Sequence, residues 1–186
     1  MRIIAGSLKG RRLAPVKGLI RPTGAKVREA IFNILGDAVD NARVLDLFAG
    51  TGALGIEALS RGAQAAVFVE DHQESLKVLR RNLESLGLTD RTRVLPVTVF
   101  SALKKLAAKG ENYDLAFLDP PYGGEKAAAA LEALAKAEIM TPAAWIVAEH
   151  SRRDTLPEAV GSLERRELRR YGDTQVAFYQ KVKSEK

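Results

Sequence analysis

The sequence predicts one α/β domain, a mostly parallel sheet covered by helices and closed by an antiparallel hairpin. Three observations carry that prediction. Short apolar runs alternate with amphipathic stretches of helical period along most of the chain. A glycine-rich turn, Gly50-Thr51-Gly52-Ala53-Leu54-Gly55, joins the first apolar run to its helix. Near the end, two alternating runs flank Tyr171-Gly172-Asp173-Thr174, a hairpin signature.

Residues 1–22 read as a basic arm with a β-hairpin pattern, since Ile3, Ile4 and Leu13 flank the turn-like segment 6–10. Residues 23–186 form the main domain. A helix over 24–35 places Val27, Ile31, Ile34 and Leu35 on one face, with Thr23 as its N-cap. Strands follow at 43–48, 65–70, 93–97, 113–119 and 144–150. Helices fall between them at 52–60, 72–86, 101–109 and 125–136, the second of these closed by Gly87. Residues 163–170 and 175–182 make the closing hairpin.

The chain has 186 residues, 46% apolar and 28% charged, enough for a real core in a single domain. It has no cysteine, which excludes disulfides and thiolate metal sites. His72 and His150 lack metal-ligand spacing, so no metal is expected. No apolar run has membrane-spanning length and the N-terminus lacks a signal-peptide core, which leaves a cytoplasmic location as the expectation.

The net charge of +6 is concentrated in one place. Residues 1–28 hold eight basic groups and no acid, against 21 basic and 23 acidic groups in the remainder. A solvated terminus is the plain reading of such a run. The hairpin pattern favours a structured arm, and a structured arm of one sign suits a phosphate backbone. Arg2, Lys9, Arg11, Arg12, Arg21 and Arg28 are its candidate RNA contacts. Arg165, Arg166, Arg169 and Arg170 could extend that surface, but Glu164 and Glu167 are interleaved with them.

Two motifs carry chemistry. Asp119-Pro120-Pro121-Tyr122 ends a buried strand. The acid and the Pro120 carbonyl are hydrogen-bond acceptors, the prolines bring no competing N–H, and Tyr122 offers a face for stacking a base. The group suits a planar amine held while something attacks it. The second motif is the glycine turn after Asp46, Phe48 and Ala49. Glu70 lies 20 residues beyond Gly50, the spacing of an acid that holds a ribose. A pyrophosphate at this turn would face Asp46, a like-charge contact, whereas S-adenosylmethionine brings an ammonium and a sulfonium. Asp46 therefore favours S-adenosylmethionine over a nicotinamide dinucleotide. Asp46, Glu70 and Asp119 all stand at strand carboxyl ends, where open α/β sheets bind ligands.

With these residues in place, the chain resembles the RsmD family, the 16S ribosomal RNA guanine-N2 methyltransferases. The resemblance runs through segment 2–13, Arg21-Pro22-Thr23 with 27–33, the turn 44–55, Phe68-Val69-Glu70, Asp119–Tyr122, and Tyr171–Thr174 with Phe178-Tyr179. It implies a class I, Rossmann-like methyltransferase fold with a seven-stranded sheet. It implies Asp119, Pro120 and Tyr122 as catalytic residues. Thr23, Asp46, Phe48, Ala49, Gly50, Thr51, Gly52, Glu70, Thr98 and Asp119 are then the cofactor contacts. Its partner would be 16S rRNA in a small-subunit assembly particle, met by a monomer. Thr98 departs from the family, which commonly has an Asp or Asn there to meet the adenine amine; a hydroxyl could accept that bond more weakly. Phe100 either packs on the adenine or belongs to the core. The tetrapeptide also occurs in methyltransferases of DNA adenine and protein glutamine amides, and an RNA-binding protein that kept the fold without the activity is the further alternative.

Overall fold

A computed structural model describes residues 1–16, 23–121 and 126–182. Its sheet has eight strands: β1 (Arg43–Leu47), β2 (Ala65–Val69), β3 (Thr92–Leu95), β4 (Tyr113–Leu118), β5 (Met140–Ser151), β6 (Ala159–Val160), β7 (Leu163–Tyr171) and β8 (Thr174–Lys181). The order across it is β3-β2-β1-β4-β5-β8-β7-β6. The first five strands are parallel, and β8, β7 and β6 add on antiparallel. The order reverses between β1 and β4, which opens a crevice at their carboxyl ends. The expected seven strands are present. The eighth, β6, has two residues, too few to show a period.

Among the described residues five α-helices cover the sheet: α1 (Ala25–Leu35), α2 (Ala53–Ser60), α3 (Gln73–Ser85), α4 (Val99–Ala108) and α5 (Lys126–Ala137). One core gathers Ile31, Phe32 and Leu35 of α1 with Ile56 and Leu59 of α2 and Leu79 and Leu83 of α3. These pack on Val44, Phe68, Phe117, Val147 and Phe178 of the sheet. The opposite core joins Leu103 and Leu106 of α4 and Leu131 and Leu134 of α5 to Leu45, Leu47, Leu118, Ile146 and Tyr179. Residues one apart on a strand thus feed different cores, as the pleat requires. No helix among the described residues is long and apolar enough to cross a membrane.

The N-terminal segment folds back on itself but makes little regular strand. Ile3 N–H donates to Arg11 O and Gly10 N–H to Ile3 O, and a single bridge joins Arg2 to Arg12. The reason lies in what the backbone bonds instead. The carboxylate of Glu57, only 1% exposed, accepts from Ile4 N–H at 2.9 Å, Ala5 N–H at 3.0 Å and Arg61 Nε at 2.8 Å. Ser60 Oγ donates to Ala5 O and accepts from Leu8 N–H. At Gly6 a Cβ would stand 1.8 Å from the Ser60 carbonyl oxygen, so only glycine allows this approach. Ile3 and Leu13 are buried in the α1–α3 core. Asn82 then holds Ala14 through both its N–H and its carbonyl.

Arg28, expected to face RNA, is instead 1% exposed. Its guanidinium donates to Arg2 O at 2.8 Å and to the Met1 sulfur, and burial pushes its pKa down against the raising effect of Glu57. It ties α1 to the arm. Arg2, Lys9, Arg11 and Arg12 are exposed. Arg21 lies outside the described residues. On β7 the interleaved acids pair with the arginines, Arg166 with Glu164 and Arg169 with Glu167, while Arg165 reaches Glu158.

Candidate active site

Strand register sets a row of acids at the crevice. Leu47 of β1 lies beside Val69 of β2 and Leu118 of β4, and Leu118 lies beside Ala148 of β5. The next residues along, Glu70, Asp119 and Glu149, therefore share one edge with Phe48. Asp46, Asp119 and Glu149 fall on the α1–α3 side by the two-residue period, in step with Phe117 and Val147.

Thr23 closes the site from the other direction. The N-cap of α1 is Gly24, and no side chain caps that helix. The Thr23 hydroxyl is turned elsewhere: Oγ1 lies 2.7 Å from Glu149 Oε2 and 3.1 Å from Asp119 Oδ2. Thr23 and Glu149 are buried. The Asp119 carboxyl is held well above the ordinary carboxylate range. Burial is the main cause, followed by the Glu149 charge; a Thr23 hydrogen turned toward it acts against the rise, and Asp46 adds to it. Pro120 is buried and Pro121 exposed. Tyr122 lies outside the described residues.

The glycine turn is held by carboxylates at both ends. Asp46, 2% exposed, accepts from Gly55 N–H at 2.9 Å through Oδ2 and so caps the start of α2 from the strand. Burial pushes the Asp46 carboxyl up to about 8, the Gly55 hydrogen bond lowers it, and Glu70 raises it further. A cation placed beside it would favour the ionised form. At Gly55 a Cβ would stand 2.4 Å from the Phe68 ring and 3.0 Å from Asp46 Oδ2, so the third glycine serves close helix–strand packing.

Glu70 accepts from Gly50 N–H at 2.8 Å through Oε2, and from Asp71 and His72 N–H at 2.9 and 2.8 Å through Oε1. Both lone pairs of Oε1 are taken by these two N–H groups, and Oε2 keeps one for a further donor. Ala49 N–H bonds to Val69 O, Thr51 O accepts from Asn82, and Phe48 takes a positive φ of 61°. A Cβ built at Gly50 meets nothing within 4 Å, so the turn opens outward there. Thr98 caps α4, its hydroxyl accepting from Ser101 N–H at 3.3 Å. Phe100, two residues on, is 48% exposed and not core.

These residues fit S-adenosylmethionine. The site offers Glu70 as an acceptor for hydroxyls and the carboxylates of Asp46 and Asp119 for a positive charge. Asp46, Glu70, Asp119 and Thr23, all singled out from the sequence, come together at this crevice, joined by Glu149, which the sequence had not singled out. Its signal was available: an acid ending the apolar run Trp145-Ile146-Val147-Ala148, the feature that drew attention to Asp119.

Comparison with known proteins is consistent with this geometry. The family described as conserved hypothetical protein 95 matches residues 1–180. YlbH of Bacillus subtilis is 43% identical over 182 residues, covering 97% of this chain and 99% of YlbH. Ribosomal RNA small subunit methyltransferase D of Haemophilus influenzae is 35% identical over 151 residues, 80% of this chain and 78% of that protein. Among solved structures, Escherichia coli yhhF superposes with a TM-score of 0.86 at 33% identity, covering 98% of both chains. The Thermus thermophilus 16S rRNA N2 G1207 methyltransferase RsmC, solved with AdoMet and guanosine, gives 0.68 at 25% identity, over 89% of this chain and 44% of RsmC.

Proposed function

The chain belongs to the RsmD family, described as conserved hypothetical protein 95, and from that premise we propose that it methylates the exocyclic N2 amine of a guanine in 16S ribosomal RNA. It is a methyltransferase that uses S-adenosylmethionine and acts on small-subunit ribosomal RNA. When bound, the cofactor supplies an electrophilic methyl group. The observation that carries the reading is the convergence of Asp119 and Thr23 with the turn held by Asp46 and Glu70.

Guanine N2 is a weak nucleophile because its lone pair is delocalised into the ring. Asp119 and the Pro120 carbonyl accept the two amine hydrogens. That favours a pyramidal nitrogen and aims its lone pair away from the acceptors, toward the methyl group. Orientation and fixed dipoles supply much of the acceleration. Tyr122 stacks on the base, which leaves its helix or loop to reach the site. Glu70 takes the ribose hydroxyls, and the turn from Phe48 to Gly52 lies against the cofactor. Thr98 accepts from the adenine amine with the lone pair not used on Ser101. Arg2, Lys9, Arg11 and Arg12 follow the phosphate backbone, with Arg21 as a further contact. The substrate is an assembling small-subunit particle in the cytoplasm, met by a monomer.

The experiment is a transfer assay with radiolabelled S-adenosylmethionine on purified small subunits, assembly particles, naked 16S rRNA, DNA and protein. The proposal expects label in 16S rRNA, recovered as N2-methylguanosine. Label confined to DNA or protein would overturn it.

A further inference from the structure

Buried Glu149 and half-buried Asp119 have one hydroxyl between their carboxyls. Thr23 Oγ1 is 2.7 Å from Glu149 Oε2 and 3.1 Å from Asp119 Oδ2. A hydroxyl has one hydrogen and two lone pairs, so it donates to one carboxyl at a time. Unstrained O–H···O bonds cluster at about 2.7–2.8 Å, which is the Glu149 distance. Resting on the reading of Asp119 as the acceptor for the substrate amine, we propose that Glu149 is a positioning residue. By taking the hydrogen of Thr23, it leaves Asp119 facing an oxygen lone pair and a negative charge, a setting that makes Asp119 a proton acceptor.

The alternative for Asp119 is that of a fixed anion that only accepts hydrogen bonds. A site built for that role would turn donors or cations toward it. Among the described residues, the charged groups that act on Asp119 are acids, Glu149 from β5 and Asp46 from β1, and the facing hydroxyl spends its hydrogen elsewhere. The arrangement is complete when Asp119 is protonated: its own O–H donates to Thr23 Oγ1, which donates to ionised Glu149. The chemistry calls for such an acceptor. Once N2 has gained a methyl group it carries a positive charge and a surplus hydrogen. One N–H bond breaks, its electron pair stays on nitrogen, and the proton passes to a carboxylate oxygen of Asp119. The neutral acid returns the proton to water after the product leaves.

Glu149→Gln removes the charge and lets the new amide donate to Thr23, which turns the hydroxyl hydrogen to Asp119. The test is a carboxyl-carbon NMR titration of the full chain labelled at aspartate, without RNA, for the wild type, Glu149→Gln, Glu149→Ala and Thr23→Ser. The Asp119 midpoint should move to lower pH in both Glu149 variants and stay near the wild-type value in Thr23→Ser. In the methylation assay the acid limb of kcat should move the same way in Glu149→Gln, with its plateau lowered about tenfold as the base weakens. An Asp119 midpoint that stays put or rises when Glu149 is replaced overturns the inference. Because the titration contains no RNA, a wrong substrate leaves its result standing, while an unmoved midpoint removes the role of Glu149 and leaves the substrate reading intact.

Discussion

Glu57 is the joint between the basic arm and the rest of the molecule, and Glu57→Gln tests whether that joint holds. The carboxylate accepts three hydrogen bonds, from Ile4 N–H, Ala5 N–H and Arg61 Nε, and is essentially buried. A glutamine keeps the shape but has one accepting oxygen. Its amide group must face either Ile4 N–H or Ala5 N–H, donor against donor. One charge-assisted bond is lost, at about 1.5–3 kcal/mol, and one buried N–H is left unpaired, at about 1–3 kcal/mol. The sum is roughly 2.5–6 kcal/mol. For a chain of this size about 1 kcal/mol lowers Tm by about 2–4 °C, so the variant should melt at least about 5 °C below the wild type. The arm should also loosen first. Trypsin should cut at Lys9, Arg11 and Arg12 faster in the variant at temperatures where both proteins are folded. Calorimetry and timed proteolysis read the two effects. A Tm within about 1 °C of wild type, with the arm equally resistant, would refute the argument that Glu57 anchors it.

Asp46→Asn keeps an acceptor for Gly55 and removes a buried charge. The folded carboxyl is raised to about 8, so the wild type loses stability as pH climbs from the unfolded value near 4 through 8. The variant should therefore gain Tm relative to wild type between pH 5 and pH 8, and a constant difference would contradict the buried charge. Gly55→Ala drives a Cβ into Phe68 and should cost about 1–3 kcal/mol by overpacking, with weaker cofactor binding by titration calorimetry. The double variant Lys9→Ala, Arg12→Ala should reduce the salt dependence of RNA binding by a slope of about 2 while leaving S-adenosylmethionine affinity unchanged. An unaltered slope would place the RNA elsewhere.

Much of the fold was legible because its elements are periodic and its turns carry glycine. The β1 and β4 strands, the helix between β1 and β2, and the hairpin at Tyr171–Thr174 lie within a residue or so of their expected bounds. The strand β5 runs longer than expected, from Met140 rather than residue 144, because Thr141 and Pro142 break the apolar pattern. Site residues were legible where an acid ended a strand, as at Asp46, Glu70 and Asp119. Thr23 was placed in the site but also read as a helix cap, since the sequence does not say which way a hydroxyl turns. Arg28 was misplaced because it closes a basic run in which Arg2, Lys9, Arg11, Arg12 and Lys26 are exposed, and only tertiary contact shows that α1 turns it toward Met1 and Arg2. Glu57 escaped notice although a lone acid inside the apolar helix Ala53–Ser60 is itself a signal that something buried awaits it.

Asp119 is proposed to activate the N2 amine of a guanine in 16S rRNA. Mass spectrometry of nucleosides from small-subunit RNA treated with wild-type protein or Asp119→Asn tests it most directly. Cofactor binding and melting temperature are followed alongside to establish that the variant is folded. The wild type should yield N2-methylguanosine, and the variant at least about a hundredfold less. Methylation at another position, or near wild-type activity in a folded Asp119→Asn protein, would contradict it.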